Sequence, residues 1–217
     1  MLQAAKVIIY SFIFFSISIQ SVNGQLEAGF KLGASTINLA NPDLGEIILG
    51  EGGLDDYKLS VAKINFGYHL GLYSRLKVWK LFLQPEVILN SHSVEYTLQD
   101  FDDPSISNIY KEQYTRLDVP ILLGLKFGWF NIHGGISGHL PIANVSELKN
   151  VSGYSISAES FTYSYLGGLG FDLGNFRLDF RYELSTTFFG DHITYKGNKY
   201  QFEDKNNRII AGIGYKF

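Results

Sequence analysis

The sequence predicts an all-β chain, an eight-stranded antiparallel up-and-down transmembrane β-barrel with short periplasmic turns and long extracellular loops. Three observations predict it. Apolar residues recur at every second position in eight segments, the period of a strand and not of a helix. The segments are joined alternately by two or three residues and by long polar stretches, as in a barrel whose turns all lie on one side of a membrane. The composition also favours strands, with 17 Phe, 14 Tyr and 23 Gly against a single Met.

The opening segment stands apart from this pattern. Lys6 precedes the apolar run Val7 to Phe15, followed by Ser16 to Gln20 and the exit Val22-Asn23-Gly24. A basic start, an apolar stretch and small residues read as a secretory signal peptide, residues 1–24, leaving 25–217 as one domain. A membrane anchor fits less well, because about 16 mostly apolar residues interrupted by serines are short for a helical crossing. No Cys stands near the cleavage point to carry a lipid. Without that segment, and so without Lys6, 17 of the 18 basic residues face 21 acidic ones, a net charge of −4 with neither sign gathered into a tail. Nucleic acid is therefore not an expected partner. An exported chain with no Cys must be held by a large core or by closure of its sheet.

The eight segments follow in order. Residues 26–37 place Leu26, Ala28, Phe30 and Leu32 on one face, with Glu27, Gly29, Lys31 and Gly33 on the other. Residues 62–77 set Leu70 and Leu72 against His69, Gly71 and Arg75; residues 81–96 set Leu81, Leu83, Val87 and Leu89 against Gln84, Glu86 and Asn90. Residues 113–127 oppose Leu117, Ile121, Leu123 and Leu125 to Arg116, Asp118, Gly124 and Lys126, and residues 130–140 oppose Ile132 and Ile136 to Asn131, His133, Ser137 and His139. In 160–173, Tyr163, Tyr165 and Leu169 face away from Ser164, Gly168, Gly170 and Asp172. The seventh segment is the sharpest, Phe176, Leu178, Phe180, Tyr182 and Leu184 alternating with Arg177, Asp179, Arg181 and Glu183; the eighth, 209–217, ends on Tyr215-Lys216-Phe217. Tight turns are expected near 78–80, 128–129 and 174–175, and long loops over 38–58, 97–111, 141–159 and 188–205.

Alternation alone does not say which face is inside. A soluble barrel with an apolar cavity has the same pattern reversed. Two features favour lipid outside. The polar face is rich in glycine, which a narrow interior needs and a wet surface does not. Aromatic residues also gather near segment ends: Trp79, Phe127, Trp129, Phe130, Phe176, Tyr215 and Phe217 at the short-turn side, and Tyr96, Tyr114, Phe161 and Tyr163 at the long-loop side, as in the girdles at headgroup depth.

With that orientation Glu27, Lys31, Arg75, Glu86, Arg116, Asp118, Lys126, Asp172, Arg177, Asp179, Arg181, Glu183 and Lys216 point inward, seven bases and six acids. Unpaired charges there cost several kcal/mol each, so a paired, plugging network is expected and an open pore is not. His133 or His139 with Asp118 or Glu183 is the tempting set for proton chemistry. The two histidines are six apart on one strand, about 20 Å, and cannot hold one metal together. No nucleophile-elbow, zinc-helix, phosphate-loop or calcium-loop motif occurs, so no catalytic, cofactor or metal site is expected. Asn144-Val145-Ser146 and Asn150-Val151-Ser152 are read as loop sequence. Pro85 and Pro120, which lack the ladder N–H, are expected to fall nearly opposite each other and share a bulge.

Several pieces resemble a known family: Phe30-Lys31-Leu32-Gly33, Tyr68-His69-Leu70-Gly71-Leu72, Leu83-Gln84-Pro85-Glu86, Leu117-Asp118-Val119-Pro120-Ile121-Leu122-Leu123 and Gly134-Gly135. In order and spacing they are similar to the small outer-membrane β-barrel proteins of the Bacteroidetes, whose PorT-like branch is associated with a secretion machinery. The resemblance implies an outer-membrane location and a last strand, with Tyr215 and Phe217, read by the barrel-assembly machinery. The function expected is non-enzymatic, a surface binding or adhesion element or a structural component of an envelope complex, with membrane lipid and an envelope protein as partners. Acidic loop residues Glu46, Glu51, Asp55, Asp56, Asp100, Asp102 and Asp103 are candidate contacts for cations or basic partners. Two alternatives are a lipid-modifying enzyme using His192 near Ser185 and Asp191, and a narrow solute channel.

Overall fold

The computed structural model describes residues 25–37, 46–50, 57–100, 107–151, 154–156, 161–187, 193–202 and 205–217. The expected signal peptide lies outside them, as do Glu51, Asp55, Asp56, Asp102, Asp103, Asp191 and His192. Among the described residues the structure is all-β and antiparallel. The strands are β1 (Gln25–Ile37), β2 (Glu46–Leu49), β3 (Tyr57–Ile64), β4 (Gly67–Val78), β5 (Leu81–Asp100), β6 (Ser107–Phe127), β7 (Phe130–Ser146), β8 (Tyr154–Ile156), β9 (Thr162–Leu173), β10 (Phe176–Ser185), β11 (Ile193–Tyr195), β12 (Asn198–Tyr200) and β13 (Arg208–Lys216).

Eight of them form a closed circuit of pairings. The order runs β5-β4-β1-β13-β10-β9-β7-β6, and β6 pairs back to β5, so the circuit returns to its start. First and last strands meet from Gly29↔Lys216 to Ile37↔Arg208. The three tight connections fall at residues 79–80, 128–129 and 174–175. Each opens on a positive φ, 63° at Gly128, 65° at Gly174 and 58° at Trp79. Glycine reaches that region freely, whereas Trp79 reaches it against its own Cβ.

The long connections differ from expectation. β5 and β6 pair out to Gln99↔Ser107. β3 continues β4 along the same edge of β5, so the segment read as 62–77 is the inner part of a longer interrupted strand. β2 pairs with β3, β8, β11 and β12 form a second small sheet, and β7 carries Asn144 to Ser146, read from sequence as loop. These additions surround a core of Leu49, Leu59, Tyr96, Leu148, Ile193 and Phe202, with Tyr96 and Phe202 rings stacked at 6.5 Å. Strands of three or four residues hold too few alternations to stand out among Asn, Asp and Gly.

Pro85 and Pro120 do lie nearly opposite, since Pro85 pairs with Ile121. Pairing with β6 lapses at Glu86 and Val87 and resumes at Ile88↔Asp118 in the same register, so the ladder has a gap but no shared bulge. The missing N–H is absorbed by skipping a pair. The real register shift between β6 and β7 is elsewhere, where Thr115↔Ala143 is followed by Arg116↔Pro141. A third proline sits at that bulge.

Candidate functional site

Strand parity places opposite chemistry on the two faces of the eight-strand circuit. On β10, Phe176, Phe180 and Leu184 are each half exposed, while Arg177, Asp179, Arg181 and Glu183 are all 5% exposed or less. The same holds around the circuit: Leu32, Leu70, Leu123, Ile136, Leu169 and Ile213 face out, and Lys31, Arg75, Glu86, Asp118, His133 and Arg208 are buried. Two aromatics expected in the outer girdle turn inward. Tyr96 shares parity with Glu86 and Asn90 and is fully buried above the circuit; Tyr114 shares parity with Arg116 and stacks on His92 at 5.0 Å. Phe161 and Tyr163 do face out, joined by Phe66, Tyr68 and Tyr165.

All thirteen charges expected on the polar face make ion pairs, and they fall into three tiers. In the middle, Arg181 donates to both oxygens of Glu86 at 2.8 and 2.6 Å and pairs with Asp179 at 2.6 Å; Lys31 reaches Glu86 at 3.3 Å and Asp179 at 3.6 Å. Toward the long loops, Arg208 donates to Glu183 at 2.6 Å and Asp118 at 3.1 Å, and Arg116 pairs with Asp118 at 3.0 Å and Glu183 at 3.5 Å. Toward the short turns, Glu27 is met by Lys77, by Arg177 at 3.1 Å and by Lys216 at 3.2 Å. Asp172 there receives Arg177 at 2.6 Å, Lys126 at 2.5 Å and Arg75 at 3.5 Å.

The structure adds two cations to that network, Lys77 and Arg208, both on the inward parity but at strand ends. Near-neutrality therefore holds tier by tier only in part. The middle and upper tiers each carry two bases and two acids, whereas the lower one sets Arg75, Lys77, Lys126, Arg177 and Lys216 against Glu27 and Asp172 alone.

Glycine makes room for these side chains. A Cβ on Gly124 would stand 2.2 Å from the Phe82 ring, over which Arg75 stacks at 3.8 Å, and one on Gly33 would meet the His69 ring at 2.6 Å. Both glycines occupy the inward parity, as the crowding argument requires.

His139 does lie beside Asp118. Its Nδ1 is 2.7 Å from Asp118 Oδ1, and its Nε2 is 2.8 Å from Ser164 Oγ, a partner with no sequence signal beyond its inward parity. The order of groups is that of a serine nucleophile relay. Ser164 is fully buried, however, and the adjoining gap, lined by His69, Asn90, Asp118, Ser137 and Arg208 but by neither Ser164 nor His139, measures about 10 Å³. That is room for about one water. The relay thus ties β6, β7 and β9 together with no space for a substrate beside the hydroxyl. His133 lies 3.9 Å from Asp179 and 3.1 Å from the Asn131 oxygen. Among the described residues no cluster of three His, Asp or Glu is arranged to hold a metal.

Tyr215 and Phe217, expected as an assembly signal, sit on the outer face by the short turns, their rings 5.8 and 6.2 Å from Phe30. Compared with family models and with curated proteins, the chain matches none of them.

Proposed function

We propose that the chain is an eight-stranded transmembrane β-barrel of an outer membrane, non-enzymatic, whose working surface is the cap that β2, β3, β8, β11, β12 and the outer halves of β5 and β6 build on its long-loop end. The observation that carries the reading is the inverted burial: apolar side chains outside a closed circuit of pairings, ion pairs inside. A water-soluble protein exposing Leu32, Leu70, Leu123, Leu169 and Ile213 together carries an apolar surface that monomers rarely tolerate. Dimensions support the same reading. Ten residue steps from Tyr163 to Leu173 span roughly 33 Å, or about 25 Å along the axis of a barrel tilted near 40°, the height of an outer-membrane apolar band. β5 and β6, at 20 and 21 residues, are about twice as long as a crossing needs, and the excess carries the cap.

The interlocked interior argues against solute passage. The resemblance to small Bacteroidetes barrels agrees with a location in the outer membrane and with the last strand serving the assembly machinery. On this reading the cap binds or adheres at the cell surface, or docks an envelope protein.

The chain contains no Cys, which makes the test clean. Single cysteines at Lys58 in the cap and Lys80 in a short turn are labelled in intact cells with a maleimide that does not cross membranes. Labelling of the first and protection of the second, with the chain retained in washed envelopes and migrating faster unboiled than boiled, is the expected outcome. A chain monodisperse in plain buffer sinks the proposal.

A further inference from the structure

We propose that the lower tier forms a binding site for a phosphate monoester group, held by Lys126, Lys216 and Arg177. A pocket of about 330 Å³ opens at the short-turn end between these three residues, Asp172 and the turns at Gly128 and Gly174. Three observations converge on it. The five cations and two carboxylates of this tier leave an excess of three positive charges, while the tiers above balance. Arg177 lines the same opening and adds its fixed charge there, its Nε held on Asp172 at 2.6 Å and its Nη2 on Glu27 at 3.1 Å. The side chains of Lys126 and Lys216 are 26% and 31% exposed, so their ammonium groups reach the opening.

A dianion offsets this excess better than a single carboxylate. A phosphate monoester carries up to two charges near neutral pH and presents three terminal acceptor oxygens to converging donors. The pocket also reaches the outer face, because Trp129 and Phe176 line it and both are more than half exposed. A headgroup phosphate enters there with its acyl chains along those rings; free orthophosphate enters from the aqueous side. Only the lipid source rests on the membrane reading, since the oxyanion site stands on charge and geometry alone.

The full chain, refolded in dodecyl maltoside, is titrated with orthophosphate by calorimetry. In parallel it is placed in phosphatidylcholine nanodiscs doped with phosphatidic acid, and the lipid retained after detergent release is read by mass spectrometry. Lys126→Gln and Lys216→Gln are each expected to weaken binding about tenfold. Lys80→Gln removes the same charge from a neighbouring turn outside the pocket and is expected to leave binding unchanged. Heat-modifiable migration verifies that each variant folds. Retention of phosphatidic acid without orthophosphate binding assigns the site to lipid. Orthophosphate binding without lipid retention keeps the site and removes the headgroup source. Binding of neither, or equal weakening by Lys80→Gln, overturns the proposal.

Discussion

The eight-strand circuit and the cap above it bury different chemistry, ion pairs set among a few apolar side chains in the first and an apolar cluster in the second. In the circuit, Glu86 and Arg181 are enclosed and Leu123 and Phe180 face out; in the cap, Leu59, Tyr96 and Phe202 are enclosed, while Lys63, Asn108, Lys111 and Lys199 are exposed. One chain thus follows two burial rules, and the boundary between them runs across β5, where an inward face that mixes Gln84, Glu86 and Asn90 with Phe82 and Ile88 gives way to Val94, Tyr96 and Leu98. The side chains follow one parity along that strand, so the change lies in what each end must satisfy. Inside the proposed barrel every buried charge needs a partner. In the cap, apolar burial against water supplies the stability.

The strongest way to break this contrast is to remove a charge from the circuit. Glu86→Leu leaves Arg181 and Lys31 sharing Asp179 alone and is expected to destabilise by about 3–5 kcal/mol, most of it the cost of an uncompensated buried cation. Glu86→Leu with Arg181→Met removes both ends of the bidentate pair. That double variant should recover most of the loss in urea titrations of vesicle-embedded protein. A double variant as damaged as the single one would mean the pair is net stabilising and not merely mutually compensating.

A deletion in the cap core should act differently. Leu59→Ala empties a fully buried site and is expected to cost about 3 kcal/mol. Hydrogen exchange should show the loss confined to β2, β3 and the outer half of β5, with the amides of β9, β10 and β13 still protected. Uniform loss across all strands would make cap and circuit one cooperative unit.

On the proposed reading the two regions also meet different solvents. Leu123, 64% exposed in the circuit, and Ile48, 46% exposed in the cap, are both surface apolar residues. Arginine at Leu123 should cost about 2–4 kcal/mol if lipid surrounds it, whereas arginine at Ile48 should change stability by about 0.5 kcal/mol or less. Equal, small effects at both positions would remove the membrane from the reading.

The circuit was legible in sequence because its strands are long. Nine residues of β10, from Phe176 to Leu184, alternate without exception, and such a run fixes the strand and separates its two faces, while the glycines of the polar face were needed to say which one lies inside. The inward charges followed from parity. Arg208 escaped because it stands one residue before the segment read as 209–217, and Ser164 because a serine among alternating residues looks like any inward filler. The cap escaped for a different reason. Its core is assembled from pieces such as Ile47-Ile48-Leu49 and Ile193-Thr194-Tyr195, each too short to show a period, and their meeting depends on the outer halves of β5 and β6. The three-tier charge division was invisible as well, since it depends on which strand ends lie at the same height.

Two neighbouring glycines of β9 separate the faces most finely. Gly167 faces out, and a Cβ there would touch nothing within 4 Å; Gly168 faces in, where a Cβ would meet Phe180 O at 2.5 Å and His133 Nε2 at 2.8 Å. Gly167→Ala removes unfolded-chain freedom without a clash and should stabilise by about 0.5–1 kcal/mol. Gly168→Ala gains the same entropy but pushes against a backbone carbonyl and a buried ring, and should destabilise by about 1–3 kcal/mol. Paired urea titrations read the difference in sign. If both variants stabilise, the interior has slack that a methyl group can occupy, and glycine on the inward parity reflects no crowding.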